Sequence, residues 1–242
     1  MNKEEIFLSV VIPAYNESRR IGKTLNIILD YLEKKDFNYE IIVVDDGSKD
    51  NTKQLAEALK IPNLRIESYG ENRGKGYAIN HGVNQAKGKY ILFADADNST
   101  PFQEVDRLLE HIEQYDVVIG SRYLKNSNIK VKQSFLRIMA SRFGNLLIQI
   151  LILPGIPDTQ CGFKMFKQTV AKKIFYRQTI WRWGFDMEIL RIAKEQKMTI
   201  KQVSVDWYND EASRIQSRKV FLKTLNELFR IRWNSFVGLY RH

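Results

Sequence analysis

The sequence predicts an α/β fold with a mostly parallel central sheet and helices on both of its faces. Two observations lead to this prediction. Through the first half of the chain, short apolar runs alternate with amphipathic segments, which is typical of βαβ units. Polar clusters also directly follow several of the apolar runs. Parallel sheets bind ligands at the carboxyl ends of their strands, so these clusters predict a shared site at one sheet edge.

The individual strands and helices are predicted from the spacing of apolar residues and from capping and proline residues at helix starts. The apolar runs predict strands over residues 7–14, 39–46, 64–69, 89–97 and 116–122. Helices are predicted over residues 21–32, 51–59, 76–86 and 101–113. Asn16 or Ser18 is the expected side-chain cap of the first helix, and Asp50 or Asn51 of the second. Pro101 suits a first-turn position in the last of them.

The second half of the chain is more basic. Residues 122–153 contain six Lys and Arg side chains and no Asp or Glu, and they end in an apolar stretch over residues 146–153. Near the C-terminus, apolar residues from Phe221 to Phe236 recur at spacings of three and four, with basic residues between them. This spacing predicts an amphipathic helix, and two partners for its apolar side remain open: the central sheet or a lipid surface.

The composition limits the classes of partner and the cellular compartment that the protein is expected to have. The 242 residues carry a formal net charge of +10, which indicates an acidic partner such as nucleic acid, anionic lipid or a phosphorylated substrate. The single cysteine, Cys161, excludes an internal disulfide and favours a reducing compartment. The N-terminus does not resemble a signal peptide, and no run of about 20 apolar residues predicts a transmembrane helix. The chain is therefore not expected to span a membrane, and attachment to a membrane surface stays open at this point.

In the stretch "FADAD", two carboxylates, those of Asp95 and Asp97, lie at the end of an apolar run. In an extended strand, alternation would place Asp95 and Asp97 on the same side, with Ala96 opposite. Paired hard oxygen ligands suit Mg²⁺ or Mn²⁺, which accept phosphate oxygens as their remaining ligands. These residues therefore predict a divalent cation bound together with a diphosphate.

Two further clusters belong to the same predicted edge. In "VVDDGSKDNT", Gly47 and Ser48 form a turn, which leaves the carboxylates of Asp45 and Asp46 to accept hydrogen bonds from a base or a ribose. In "ENRGKGYAIN", Lys75 opens a helix between two glycines, and backbone N–H groups at such a helix start suit a phosphate. Neither a Walker loop nor a dinucleotide fingerprint is present.

These motifs carry a resemblance to a known family. "SVVIPAYNE", "EIIVVDDGSKD", "NRGKGYAINHG", "GKYILFADAD" and "VIGSRY" resemble family 2 glycosyltransferases, which use nucleotide sugars on the Rossmann-like GT-A fold. "PDTQCGFKMF", "RWGFDMEIL" and "WYNDEASR" resemble the polyprenyl-phosphate branch of that family. Within the branch, "DTQCGFK" and "DADNST" resemble dolichyl-phosphate glucosyltransferases more than mannose synthases, which more often have glutamine at the position of Ser99.

The resemblance implies roles for individual residues. On the donor side, it places the nucleoside against Pro13, Tyr15, Glu17, Asp45 and Asp46, the nucleotide near Lys75, and the metal on Asp95 and Asp97. On the acceptor side, it places Arg122 at the reaction centre, Asp158 and Asp186 near the sugar, and the lipid phosphate against Arg137, Ser141, Ser213 and Arg214. Whether Asp158 acts as a base or as a sugar ligand is open at this stage.

The expected organisation follows from the same resemblance. A GT-A catalytic domain is expected over residues 1–215, with a nucleotide-sugar half (1–123) and an acceptor half (124–215). A basic amphipathic helix, membrane-interfacial or packed on the domain, is expected over residues 216–242. The protein is expected at the cytoplasmic face of a membrane, anchored by this helix, by homo-oligomerisation or by a separate membrane subunit.

The expected reaction is inverting transfer of a hexose to a polyprenyl (dolichyl or undecaprenyl) phosphate. Glucose from UDP-glucose is favoured, and mannose from GDP-mannose is the alternative. Because the acceptor phosphate is already anionic, no strong general base is needed. A second hypothesis replaces this acceptor with a polysaccharide or a protein hydroxyl, which does need a base. A third, a non-catalytic nucleic-acid or membrane binder, leaves the acidic strand ends unexplained, and nucleic acid is not an expected partner.

Overall fold

The computed structural model describes residues 5–125, 127, 129–130, 148–208 and 217–241, and it has the predicted α/β architecture. The strands are β1 Leu8–Ala14, β2 Tyr39–Asp45, β3 Leu64–Ser68, β4 Tyr90–Ala94, β5 Val117–Ser121, β6 Ile129–Lys130, β7 Phe163–Lys167, β8 Ile200–Ser204 and β9 Trp207–Tyr208. The α-helices are α1 Ile21–Leu32, α2 Thr52–Ala58, α3 Lys75–Gln85, α4 Val105–Ile112, α5 Gln168–Tyr176, α6 Phe185–Glu195 and α7 Ser217–Phe236. A 3₁₀ turn, Phe102–Glu104, leads into α4.

Seven strands form the central sheet in the order β3-β2-β1-β4-β7-β5-β8. Strands β1 to β4 pair in parallel, and so do β5 and β8. Strand β7 runs antiparallel between β4 and β5, which leaves those two strands pointing in the same direction. The carboxyl ends of β2, β4 and β5 therefore share one edge of the sheet, as predicted.

Both faces of the sheet are covered by helices, because successive strand residues point to opposite sides. On one face, Val11 and Val44 pack with residues of α3, α5 and α6. On the other face, Val10 and Ile41 pack with residues of α1 and α4. Strands that are buried on both faces have continuous apolar sequences, which is why β1, β2 and β4 were readily predicted.

Two local predictions were wrong. Strand β4 ends at Ala94, three residues earlier than expected, and Asp95 begins a turn in which Asn98 adopts a φ of 50°. The turn, and not the alternation of an extended strand, therefore brings the two carboxylates together. Helix α1 has no side-chain cap; Asn16 instead accepts a hydrogen bond from the Lys49 backbone N–H (2.8 Å).

The C-terminal helix α7 has two different sides. Leu228 and Ile231 are buried in the core beside α6. On the outer side, Phe229, Trp233 and Phe236 are 68%, 65% and 74% exposed. One side of the helix thus packs on the domain while the other presents aromatic rings to its surroundings. Within the part of the chain described above, no helix is both long enough and apolar enough to cross a bilayer.

Candidate active site

The loops that follow β1 and β2 are joined by hydrogen bonds at the predicted sheet edge. The Asn16 N–H donates to the Ser48 hydroxyl (2.9 Å), and the Glu17 N–H donates to the Thr52 hydroxyl (2.8 Å). Asp50 accepts hydrogen bonds from the backbone N–H groups of Thr52 (3.0 Å) and Ser18 (3.2 Å). These contacts fix the two loops against each other, so residues far apart in the sequence form one continuous part of this sheet edge.

Three of the residues expected to hold the nucleoside lie on or directly after β1, beside these loops. Pro13 is buried within β1, whereas the Tyr15 side chain is 40% exposed at the end of that strand. Glu17 forms an ion pair with Arg20 (2.6 Å). Burial raises the pKa of Glu17 in spite of that arginine. The exposed tyrosine ring is therefore the accessible apolar surface at this position.

Asp46 is occupied by protein donors. Its carboxylate accepts hydrogen bonds from the Tyr69 hydroxyl (2.9 Å), the Asn72 side-chain amide (2.8 Å), and the backbone N–H groups of Arg73 (2.8 Å) and Gly74 (3.0 Å). These contacts hold the loop that leads into α3. The Gly74 N–H group lies at the helix start that was predicted to suit a phosphate, and it already donates to Asp46.

The neighbouring carboxylate is less occupied. One oxygen of Asp45 accepts a hydrogen bond from the Ser48 N–H (3.2 Å). Asp45 is 6% exposed and Asp46 is 3% exposed. The contacts therefore assign Asp46 to the support of the loop before α3, and they leave Asp45 with more hydrogen-bonding capacity toward a ligand.

The two carboxylates after β4 lie close enough to influence each other. The Asp97 side chain accepts a hydrogen bond from the Ser99 N–H (2.9 Å), and burial together with the nearby Asp95 raises the pKa of Asp97. Asp95 forms an ion pair with Lys75 (Oδ1 to Nζ, 2.5 Å). A Cβ atom at Gly162 would lie 2.0 Å from Asp95 Oδ2, so a side chain at this position would displace the carboxylate.

The donor set fits a divalent cation. Two hard carboxylates that repel each other in a partly buried turn gain most from a shared dication, and Mg²⁺ and Mn²⁺ take oxygen ligands of this kind. Among the described residues, no group of three or more His, Cys, Asp and Glu side chains converges as a metal cage. Asp95 and Asp97 thus suit a cation that takes its other ligands from water and from a bound diphosphate.

A second ion pair lies beneath this site. Lys164 of β7 is fully buried and contacts Asp186 of α6 (2.5 Å) and the Cys161 carbonyl (2.6 Å). Burial raises the pKa of Asp186, although Lys164 and Lys75 act in the opposite direction. Asp186, expected near the sugar, is thus bonded to a lysine that the sequence analysis did not identify. Burial raises the pKa of Cys161 to about 12, which agrees with its interpretation as a packed residue.

A third ion pair follows β5. Arg122 donates three hydrogen bonds of 2.8 Å to Asp158, one from its backbone N–H and two from its guanidinium group. Asp158 is 1% exposed. Burial opposes its ionisation, but Arg122 outweighs burial and lowers the pKa of Asp158. The guanidinium carbon of Arg122 lies 5.4 Å from the centroid of the Trp207 ring.

Only some of the residues expected on the acceptor side are among the described residues. Arg137, Ser141, Ser213 and Arg214 lie outside the described residues. Arg122 directly follows β5 and is hydrogen-bonded to Asp158. Asp186 contacts Lys164, which pairs with Phe93 near the end of β4 and with Ile119 of β5. The geometry therefore joins the donor carboxylates to the first part of the expected acceptor half through a series of alternating charges.

A turn with two carboxylates and a nearby lysine, at the C-terminal edge of an α/β sheet, suits a ligand that carries a diphosphate and a divalent cation. Residues 9–175 match Glycosyl transferase family 2, and the chain belongs to that family. It is 37% identical to the dolichyl-phosphate beta-glucosyltransferase of Dictyostelium discoideum, covering 98% of this chain and 77% of that protein. The Saccharomyces cerevisiae enzyme of the same name is 36% identical, covering 98% and 78%.

A solved structure confirms the predicted fold. The glucosyl-3-phosphoglycerate synthase from Mycobacterium tuberculosis, in complex with Mn²⁺, uridine diphosphate and glucosyl-3-phosphoglycerate, aligns with a TM-score of 0.66 and 20% identity. The alignment covers 98% of this chain and 81% of that one. The fold is therefore GT-A, and the family match and the curated relatives identify the chain as a glycosyltransferase, as the sequence predicted.

Proposed function

We propose that this protein transfers glucose from UDP-glucose to a polyprenyl phosphate. The observation that carries the proposal is the similarity to dolichyl-phosphate beta-glucosyltransferases, at 36–37% identity over 98% of the chain. The Asp95–Asp97 turn and Lys75 supply the charges that a nucleotide diphosphate requires. A single in-line displacement inverts the anomeric centre and gives a β-linked product from an α-linked donor.

Asp95 and Asp97 would hold Mg²⁺ or Mn²⁺ at the donor diphosphate. The M. tuberculosis structural neighbour was solved with Mn²⁺ and uridine diphosphate, which supports this choice of cation and base. A cation bound there would neutralise the negative charge that builds up on the leaving diphosphate. Tyr15 and Asp45 would contact the nucleoside, while Asp46 and Pro13 would keep the surrounding loops in place.

The Arg122–Asp158 contacts favour an acceptor that is already anionic. Arg122 engages both oxygens of Asp158 and lowers the pKa of that carboxyl, so Asp158 is a poor proton acceptor. A hydroxyl acceptor would need such a base, whereas a lipid phosphate supplies its own negative oxygen. Asp158 would therefore act by orienting Arg122 at the reaction centre. Arg137, Ser141, Ser213 and Arg214 would contact the acceptor phosphate, and Asp186 would lie near the sugar through its contact with Lys164.

The outer side of α7 would contact the membrane that contains the lipid acceptor. Exposed Arg230 and Arg232 neighbour the exposed ring of Trp233, and this mixture of cations and aromatic rings suits a lipid headgroup region. The proposed location is the cytoplasmic face of the membrane. In this proposal, residues 1–215 form the catalytic domain and residues 216–242 form the interfacial helix. A homo-oligomer or a separate anchoring subunit would add to that attachment.

The proposal is tested by the release of UDP. The purified protein is mixed with UDP-glucose, Mg²⁺ and a polyprenyl phosphate, and parallel reactions use GDP-mannose or omit the lipid. We expect UDP release that requires both the lipid phosphate and the cation, and a loss of at least about 100-fold for Asp97→Asn. UDP release that does not depend on the lipid phosphate would overturn the proposed acceptor. Preferential use of GDP-mannose would overturn the proposed donor.

A further inference from the structure

Lys75 occupies an oxygen that a divalent cation would need. Its Nζ lies 2.5 Å from Oδ1 of Asp95, and the two side chains are 23% and 34% exposed. A carboxylate oxygen that is already paired with an ammonium group is a poor ligand for a second cation, because the two positive charges repel each other. Without nucleotide, the lysine and the divalent cation therefore compete for the same carboxylate.

The backbone position of Lys75 is fixed by close packing on both sides. A Cβ atom at Gly74, which has a φ of 110°, would lie 2.4 Å from the Trp181 carbonyl oxygen. A Cβ atom at Gly76 would lie 2.6 Å from the Phe185 side chain. The start of α3 therefore cannot shift easily, and any movement of the ammonium group has to come from rotation of the flexible lysine side chain.

The surrounding charges keep Lys75 protonated. Burial opposes its charge, but Asp95, Asp186 and Asp97 outweigh burial and hold the pKa of Lys75 above its usual range. Asp186 is already paired with Lys164, so Asp95 is the direct partner of Lys75. The ammonium group and the carboxylates of Asp95 and Asp97 together carry a net charge of about −1, which attracts a dication far less than two free carboxylates do.

Building on the proposed donor site, we propose that Lys75 is a resident counter-ion that a divalent cation displaces only when a nucleotide diphosphate is present to receive it. A diphosphate carries enough negative charge to accept the ammonium group and to share the cation. With diphosphate bound, Lys75 leaves Asp95 and pairs with a phosphate oxygen. Lys75 thus makes the binding of cation and nucleotide strongly cooperative and keeps the empty site from holding a cation by itself.

The experiment measures Mn²⁺ binding to the protein without nucleotide, using the electron paramagnetic resonance signal of free Mn²⁺. Lys75→Met removes the competing charge while keeping an unbranched side chain. We expect it to bind Mn²⁺ roughly tenfold more tightly than the wild type, or better, the scale expected for one unit charge a few ångströms from the ion. Lys75→Arg retains the charge and should bind Mn²⁺ as weakly as the wild type does.

Lys53→Met is the matched control, because this substitution removes the same charge from the protein at a different place. Lys53 forms an exposed ion pair with Glu57 on α2. Equal tightening by Lys53→Met and Lys75→Met would overturn the proposal, since net charge alone would then explain the effect. Unchanged or weaker Mn²⁺ binding by Lys75→Met would overturn it as well. Thermal unfolding of each variant confirms that folded proteins are compared, and Lys75→Gln, which also removes the charge, replaces the methionine variant if that variant is unstable.

A second measurement tests the cooperativity directly. The ratio of Mn²⁺ affinities with and without UDP should be smaller in Lys75→Met than in the wild type, because the same coupling appears from either ligand. A ratio equal to that of the wild type would overturn the proposal. The Mn²⁺ measurement without nucleotide involves neither sugar nor acceptor, so its result stands even if the protein fails to use UDP-glucose. Failure of UDP to bind any variant would instead count against the proposed donor.

Discussion

The two ion pairs at the sheet edge, Lys75–Asp95 and Arg122–Asp158, have the same charges and opposite roles. The first is joined by one contact of 2.5 Å between side chains that are 23% and 34% exposed. The second has three hydrogen bonds of 2.8 Å around a carboxylate that is 1% exposed. The two cationic side chains are similarly exposed, at 23% for Lys75 and 21% for Arg122. The comparison therefore teaches that exposure of the carboxylate and the number of contacts, rather than proximity of charges, separate an ion pair that a ligand can exchange from one that maintains the fold.

The two ion pairs also change the expected distribution of charge along this edge of the sheet. A simple picture places acidic residues on the donor side and cationic residues on the acceptor side. Arg122, however, is neutralised by Asp158, and part of the negative charge on the donor side is neutralised by Lys75. The described part of this sheet edge is therefore closer to neutral than its sequence motifs indicate.

Breaking the Arg122–Asp158 pair should have the largest effect on stability. Arg122→Met leaves the Asp158 carboxylate buried without its partner, which we expect to lower the free energy of unfolding by about 3–5 kcal/mol at pH 7 in urea denaturation. The folded pKa of Asp158 lies below its unfolded value, so this contribution is present above about pH 4 and is lost as the pH falls through the folded pKa.

The control for that prediction is Arg241→Met, which breaks the ion pair with Glu195. The Arg241 side chain is 60% exposed, so its loss should cost no more than about 1 kcal/mol. If Arg122→Met also cost less than about 1 kcal/mol, the view that this pair maintains the fold would be wrong.

The Lys164–Asp186 pair should show the next largest effect. Lys164→Met leaves a buried carboxylate unpaired and should lower the free energy of unfolding by about 3 kcal/mol. The double variant Lys164→Met/Asp186→Leu removes both charges and should recover most of that loss, which a double-mutant cycle measures. A double variant as unstable as the single one would show that Lys164 acts mainly through its bond to the Cys161 carbonyl.

The parts of the molecule that could be predicted from sequence are those with a local signature. Strands β1, β2 and β4 are continuous apolar runs, and the Asp95–Asp97 cluster lies directly at the end of one of them. Strand β7 was missed because Lys164 and Lys167 interrupt its apolar pattern. A lysine is not expected in a buried strand until its partner is known, and Asp186 lies 22 residues further along the chain.

The same limit applies to the hydrogen-bond partners of the predicted site residues. Asp158 was recognised as a carboxylate near the sugar, but its bonding to Arg122, 36 residues earlier, depends on tertiary structure. Asp46 was expected to contact a base or ribose, and its four hydrogen-bond donors come from residues 69–74, on a loop that the sequence does not place beside β2. Residue type and position predicted the edge of the sheet, whereas the partner of each charge required the fold.

Removing a carboxylate from the donor turn should increase stability slightly. Burial and Asp95 raise the pKa of Asp97, so the folded state binds more protons than the unfolded state just above pH 4, and wild-type stability falls as the pH rises there. Asp97→Asn should remove this dependence and raise the free energy of unfolding in chelator by about 1 kcal/mol.

The matched control for Asp97→Asn is Asp50→Asn, for which we expect a change of opposite sign in the free energy of unfolding. Hydrogen bonds from Thr52 and Ser18 lower the pKa of Asp50 in spite of burial, so Asp50→Asn should destabilise the protein by about 1 kcal/mol. Urea denaturation between pH 4 and 8 measures both variants. A loss of stability for Asp97→Asn would mean that the Ser99 contact matters more than burial and repulsion by Asp95.

The outer side of α7 should affect stability least and membrane binding most. Trp233→Ser should change the free energy of unfolding by no more than about 0.5 kcal/mol, because the ring is 65% exposed. If the ring enters the headgroup region, its loss should weaken co-sedimentation with anionic vesicles by roughly tenfold. Leu55→Ser is the control, since Leu55 is 42% exposed on α2, whose buried side packs on the opposite face of the sheet. Equal vesicle binding by wild type and Trp233→Ser would leave the exposed aromatic side of α7 without a lipid partner.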